Sequence, residues 1–134
     1  MKREILFRGK SIEPSTEGKW IEGSLLVHGN CSYILPNNPI TPFGIVKYRV
    51  DPETVGQFTG ITDINDIKIF EGDIAKYYNP YSKQWYTHIV KWDKMFASFG
   101  FFTQDSEWCK ENDWLKIESI EVIGNIHDNK DLLK

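Results

Sequence analysis

WIEGSLLVHGNCSYIL, residues 20–35, decides how this chain is read. Two apolar-rich runs, Trp20 to His28 and Cys31 to Leu35, flank the dipeptide Gly29-Asn30. A two-residue connection that begins with Gly suits a type II′ turn. Its first central position needs a positive φ that Gly adopts at little cost, and its twist matches a pair of antiparallel strands. The stretch is therefore a β-hairpin, and the chain around it reads as a β protein.

Upstream, Ile5 and Phe7 alternate with Leu6 and Arg8 in a first strand, which the polar stretch Ser11 to Gly18, with Pro14, then ends. Downstream, Pro36, Pro39 and Pro42 deprive Asn37 to Pro42 of a continuous row of backbone donors, so a loop is expected there, with strand resuming from Gly44 to Val50. DPETVGQFTG, residues 51–60, combines a helix start with two glycines. Asp51 suits the cap and Pro52 the first helical position. Glu53 sits near the positive end, and Gly56 and Gly60 limit further helix. The expectation is one capped turn between two β segments.

Ile67 to Tyr78 reads as strand, the turn Glu71-Gly72-Asp73, and strand. Trp85 to Trp92 and Phe96 to Phe102 follow, joined at Asp93-Lys94, and Ile117 to Ile126 closes the chain as a strand weakened at Gly124. Glu107 to Leu115 is the best helix candidate, and it is short. A succession of short antiparallel strands favours a small closed barrel, which leaves no exposed edges.

The chain has 134 residues, the usual size of one domain, so residues 1–134 are expected to form one compact unit, with a subdivision into 1–49 and 50–134 as the alternative. A hydrophobic content of 40% and a charged content of 26% place it among globular chains rather than disordered or membrane-embedded ones. Ile5-Leu6-Phe7 is too short for a signal-peptide core, and no run approaches transmembrane length, so a cytoplasmic protein without membrane association is expected. Cys31 and Cys109 belong to no metal-ligand spacing and are read as free thiols, with no metal or cofactor expected. Charge is uneven: residues 1–10 carry net +3 and residues 103–121 net −4, the ordinary pattern of solvated faces.

No catalytic motif stands out. Gly9-Lys10-Ser11 echoes the end of a phosphate-binding loop, but residue 4 is Glu where that loop requires Gly, and Pro14 opposes the helix that must follow. Asp63 to Ile67 matches a calcium loop only at its first and third positions and reads as an Asp/Asn turn. His28, His88 and His127 have no neighbouring Cys, Glu or His at ligand spacing. A polar site would draw on Glu53, Thr54, Gln57 and Thr59. The stronger binding candidate is the aromatic cluster Tyr77, Tyr78, Tyr81, Trp85 and Tyr86 around the loop Asn79 to Gln84. Alternation along strands turns about half of such residues inward, which leaves Tyr78, Tyr81 and Trp85 as the proposed surface.

Set in order, ILFRGK at 5–10, WIEGSL at 20–25, VDPETVGQFTGITD at 50–63, KIFEGDIAKY at 68–77 and IEVIGNIHDN at 120–129 resemble the YopX family of small bacteriophage and prophage proteins. The resemblance spans nearly the whole chain. It implies a mainly β fold with an SH3-type barrel in the C-terminal part, to which the residues themselves add an N-terminal β-hairpin region and little helix. It supplies no established activity and no catalytic residues to carry over. The expected function is therefore a non-catalytic module that binds a protein. Nucleic-acid binding, through the aromatics with Lys76, Lys83, Lys91 and Lys94, is the alternative, and an enzyme site assembled only in the fold is a third reading. The sequence does not determine an oligomeric state.

Overall fold

The structure, a computed structural model, describes residues 4–95, 97–102 and 119–133. The expected helix at Glu107 to Leu115 and Cys109 lie outside the described residues. The chain divides into two compact units, Met1–Phe58 and Thr59–Lys134.

In the first unit, β1 (Phe7–Lys10), β2 (Trp20–His28), β3 (Cys31–Leu35) and β6 (Tyr48–Val50) form an antiparallel sheet, with the start of β7 (Gly56–Thr62) beside β1. The order is β6-β3-β2-β1-β7. The deciding hairpin forms as read: His28 pairs with Cys31, Gly29 takes φ 61°, and Asn30 keeps an ordinary negative φ. Buried Ser32 and Ile34 alternate along β3 with half-buried neighbours, and Val50 opposite Ser32 completes the covered face. Gly23 is required by close approach rather than by a turn. A Cβ there would sit 1.9 Å from the Leu35 carbonyl oxygen, so no side chain fits while β2 and β3 hold this register.

The proline-rich stretch departs from expectation. Within Asn37 to Pro42, β4 (Ile40–Thr41) pairs with β5 (Gly44–Ile45) in a two-residue ladder. The strand expected from Gly44 to Val50 is correspondingly broken after Ile45, where the Val46 N–H donates to the Pro39 carbonyl at 2.6 Å as the last bond of the Ile40–Ile45 pairing. Pro39 has no N–H to return that bond and Pro42 lies in the turn, so the ladder stays two residues long. Beyond β6, the capped turn at Pro52–Thr54 is present, a single 3-10 turn with Asp51 as its cap.

In the second unit, β8 (Lys68–Phe70) lies beside the later part of β7, and β9 (Asp73–Asn79), β10 (Gln84–Asp93), β11 (Ser98–Phe102) and β12 (Ile120–Asn125) build a four-stranded antiparallel sheet in the order β11-β10-β9-β12. Ile69, Ala75, Tyr77, Val90 and Ile120 form its core, with Tyr86, Phe101 and Val122 packed against them. Each fully buried side chain of the size of Ile69 or Ile120 contributes about 1.5–3 kcal/mol. The weakness at Gly124 appears as a register shift between Val122 and Gly124, a bulge on β12.

The fold is mainly β with almost no helix, but the sheets do not close into a barrel, and the SH3-type closure expected for residues 50–134 is not found among the described residues. The last strand pairs along β9, leaving β11 and β12 at opposite margins of the sheet; closure requires them to meet.

Candidate binding surface

The β9–β10 hairpin sorts the aromatic cluster by alternation. Tyr78 pairs with Trp85 across the strands, and one step along, Tyr77 pairs with Tyr86 on the opposite face. The inward pair belongs to the core side. Tyr77 stacks on Tyr86 at 5.6 Å and on His88 at 5.3 Å, and the Tyr77 hydroxyl lies 3.4 Å from His88 Nε2. His88 is therefore a buried member of an aromatic stack.

The outward pair is exposed, Tyr78 by 38% and Trp85 by 56%, with ring centroids 5.4 Å apart and planes tilted by 54°. Behind Trp85, the Lys76 ammonium lies 4.8 Å from the ring centroid, a cation–π arrangement, and Lys76 also meets Glu121 of β12 at 3.5 Å. Position Tyr81 depends on the turn. Buried Asn79 accepts the N–H groups of Tyr81 (2.9 Å) and Ser82 (3.3 Å) on its side-chain oxygen. Lys83 takes φ 58° and donates its N–H to the Asn79 carbonyl at 2.8 Å. This Asx-type turn leaves Tyr81 86% exposed at the tip. The structure thus brings Tyr78 and Trp85 together and sets Tyr81 at the end of the same hairpin. Lys76, read from the sequence only as a nearby cation for the nucleic-acid alternative, is placed against Trp85 by its register opposite Thr87.

The polar set is placed differently. The Thr54 hydroxyl donates to the Asp51 carbonyl at 2.6 Å and accepts the Lys10 N–H at 2.9 Å. That of Thr59 donates to the Ile69 carbonyl at 2.8 Å. Both hydroxyls serve the backbone. Glu53 is exposed on the 3-10 turn, where its N–H bonds the Asp51 carboxylate, and Gln57 lies half-buried opposite Phe7 on β7.

Asp63 holds three backbone N–H groups at once. Only 6% exposed, it accepts the N–H groups of Asn65 (2.8 Å) and Ile67 (2.9 Å) on one oxygen and that of Val122 (2.9 Å) on the other. Burial by itself pushes its pKa up. The bonds from Val122, Ile67 and Asn65 together outweigh burial and hold it below the ordinary value. The carboxylate is a structural clamp between an Asp/Asn turn and the last strand.

Among the described residues, no three His, Cys, Asp or Glu side chains are grouped so as to hold a metal ion, and no helix is long and apolar enough to cross a membrane. No curated protein matches the chain. A crystal structure of protein EF1440 from Enterococcus faecalis matches it with a TM-score of 0.56 at 24% identity, over 98% of this chain and 99% of that one, a likeness of fold. The family model of the YopX protein matches residues 10–134. That match runs over nearly the whole sequence, and the chain belongs to the YopX family.

Proposed function

We propose that this protein is a phage or prophage accessory protein of the cytoplasm that acts as a non-catalytic protein-binding module, with Tyr78, Tyr81 and Trp85 as its contact surface. The observation that carries the reading is the exposed Tyr78–Trp85 ring pair on a hairpin whose tip is held by Asn79. Large aromatic side chains on a pre-formed strand pair lose little freedom when a partner covers them, and such residues dominate the energetics of protein interfaces.

Lys76 over Trp85 and Lys83 at the tip favour a second reading, single-stranded nucleic acid stacked on the rings. One experiment separates the two. The tagged protein is used to capture components of a host lysate, with and without phage induction and nuclease, alongside the variants Tyr81→Ala and Trp85→Ala. Retention of a defined protein that survives nuclease and is lost in Trp85→Ala, with an unchanged thermal melt, supports the module. Retention that disappears with nuclease and falls steeply with added salt supports the nucleic-acid reading instead. Equal capture by the wild type and both variants would remove the surface assignment.

A further inference from the structure

The first unit carries a feature that the aromatic hairpin does not account for. On the short β4–β5 hairpin, Phe43 is 99% exposed, Ile40 80% and Ile45 63%. Scattered exposed apolar residues are ordinary, but three within six positions of one hairpin form a projecting apolar tip. That tip is locked. The Thr41 hydroxyl donates to the Gly44 carbonyl at 2.9 Å and accepts the Phe43 N–H at 3.2 Å. Pro42 fixes its own φ, and the bond from Val46 to Pro39 closes the base. A side chain presented this way surrenders little conformational freedom on binding, an advantage that matters when the receiving surface has a fixed shape.

Charge narrows the partner. From Gly23 to Val50 the sequence contains no Asp or Glu, in a chain whose net charge is −3, while Lys47 and Arg49 follow the hairpin directly. Lys47 is the cation nearer the tip in sequence, two residues after Ile45, and its ammonium lies 5.2 Å from the Tyr33 ring centroid. A two-fold contact between copies would bring two Lys47 side chains to one interface, an unfavourable arrangement. A bilayer would satisfy the charge but has no fixed shape for a locked tip to match.

We propose that the β4–β5 hairpin is a second docking element, which seats Phe43, flanked by Ile40 and Ile45, in an apolar pocket of another protein whose rim carries carboxylates facing Lys47. This element is independent of the Tyr78–Trp85 surface.

The test places the photo-crosslinking residue p-benzoylphenylalanine at position 43 of the full-length chain, where full exposure makes the replacement sterically free. After irradiation in cells, the receiving residue is mapped by mass spectrometry. The expected result is an adduct on another protein, at an apolar residue with Asp or Glu around it. Its yield should fall about fivefold or more in Lys47→Glu, with the thermal melt unchanged, and should persist in Trp85→Ala. Persistence in Trp85→Ala separates this element from the proposed function of the other hairpin. An adduct on lipid, on a second copy of the chain, or at a site without carboxylates would overturn the proposal. So would the absence of an adduct, indifference to Lys47→Glu, or loss in Trp85→Ala.

Discussion

Asp51 and Asp63 open two turns of the same chain with the same kind of local bond, a carboxylate oxygen accepting the N–H two residues on. They diverge in what else they reach. Asp51 caps a single 3-10 turn and has one side-chain bond, to Glu53. Asp63 adds Ile67 within its turn and Val122, which is 59 residues away in sequence. The difference shows how one turn device can remain local in one place and become a tertiary fastening in another. What changes is whether a distant strand leaves an N–H within reach of the second oxygen.

Replacing Asp63 should have the largest effect. Asp63→Ala leaves three N–H groups, on Asn65, Ile67 and Val122, without their acceptor and should cost about 3 kcal/mol or more, read as a fall in denaturant midpoint. A loss no greater than that of Asp51→Ala would erase the contrast between the two turns.

Acid titration sharpens the same point. Because the folded pKa of Asp63 lies below its ordinary value of 3.8, the unfolded chain binds the proton more readily, and stability rises with pH across that interval. The contribution is fully present above 3.8 and is lost as pH falls through the lowered folded value. Wild type should therefore lose stability below about pH 4 more steeply than Asp63→Asn, measured by chemical denaturation at stepped pH. Parallel curves would mean that the carboxylate charge is not what the three donors recognise.

Smaller effects probe the other turn. Thr54→Val keeps the shape but removes the acceptor of the Lys10 N–H in a buried setting, for an expected cost of about 1–2 kcal/mol by denaturant unfolding. Asp51→Ala removes a cap at a more exposed site and should cost about 1 kcal/mol, with a thermal shift of a few degrees. If Asp51→Ala exceeded Thr54→Val, the carboxylate rather than the hydroxyl would be the main fastening of that turn.

The same contrast explains which features were legible in the sequence. The Gly29-Asn30 hairpin and the Asp51-Pro52 cap are local devices, written in adjacent residues, and both are present as read. The division of the aromatics into inward Tyr77 and Tyr86 and outward Tyr78 and Trp85 follows from strand alternation once the β9–β10 register is set. Sheet closure is not local. The pairing of β12 along β9 joins residues far apart, and no nearby residue type announces it, so a closed barrel was expected where an open sheet order is found. The Asp63–Val122 bond was hidden for the same reason. The two-residue ladder of Ile40–Thr41 with Gly44–Ile45 escaped through a sound rule applied too broadly. Prolines forbid a continuous ladder but allow a short one between them.

The distance between β9 and β12 also has a temporal side. Asn79 ends β9 and Ile120 begins β12, so about 40 residues must be synthesised between them. At roughly 5–20 residues per second, that leaves the growing chain with β9 lacking its second neighbour for about 2–8 s. An unpaired strand edge is a template for other chains. The birth of this protein therefore includes an interval in which crowding, translation speed and chaperone access bear on whether β9 waits for its own partner or meets a stranger.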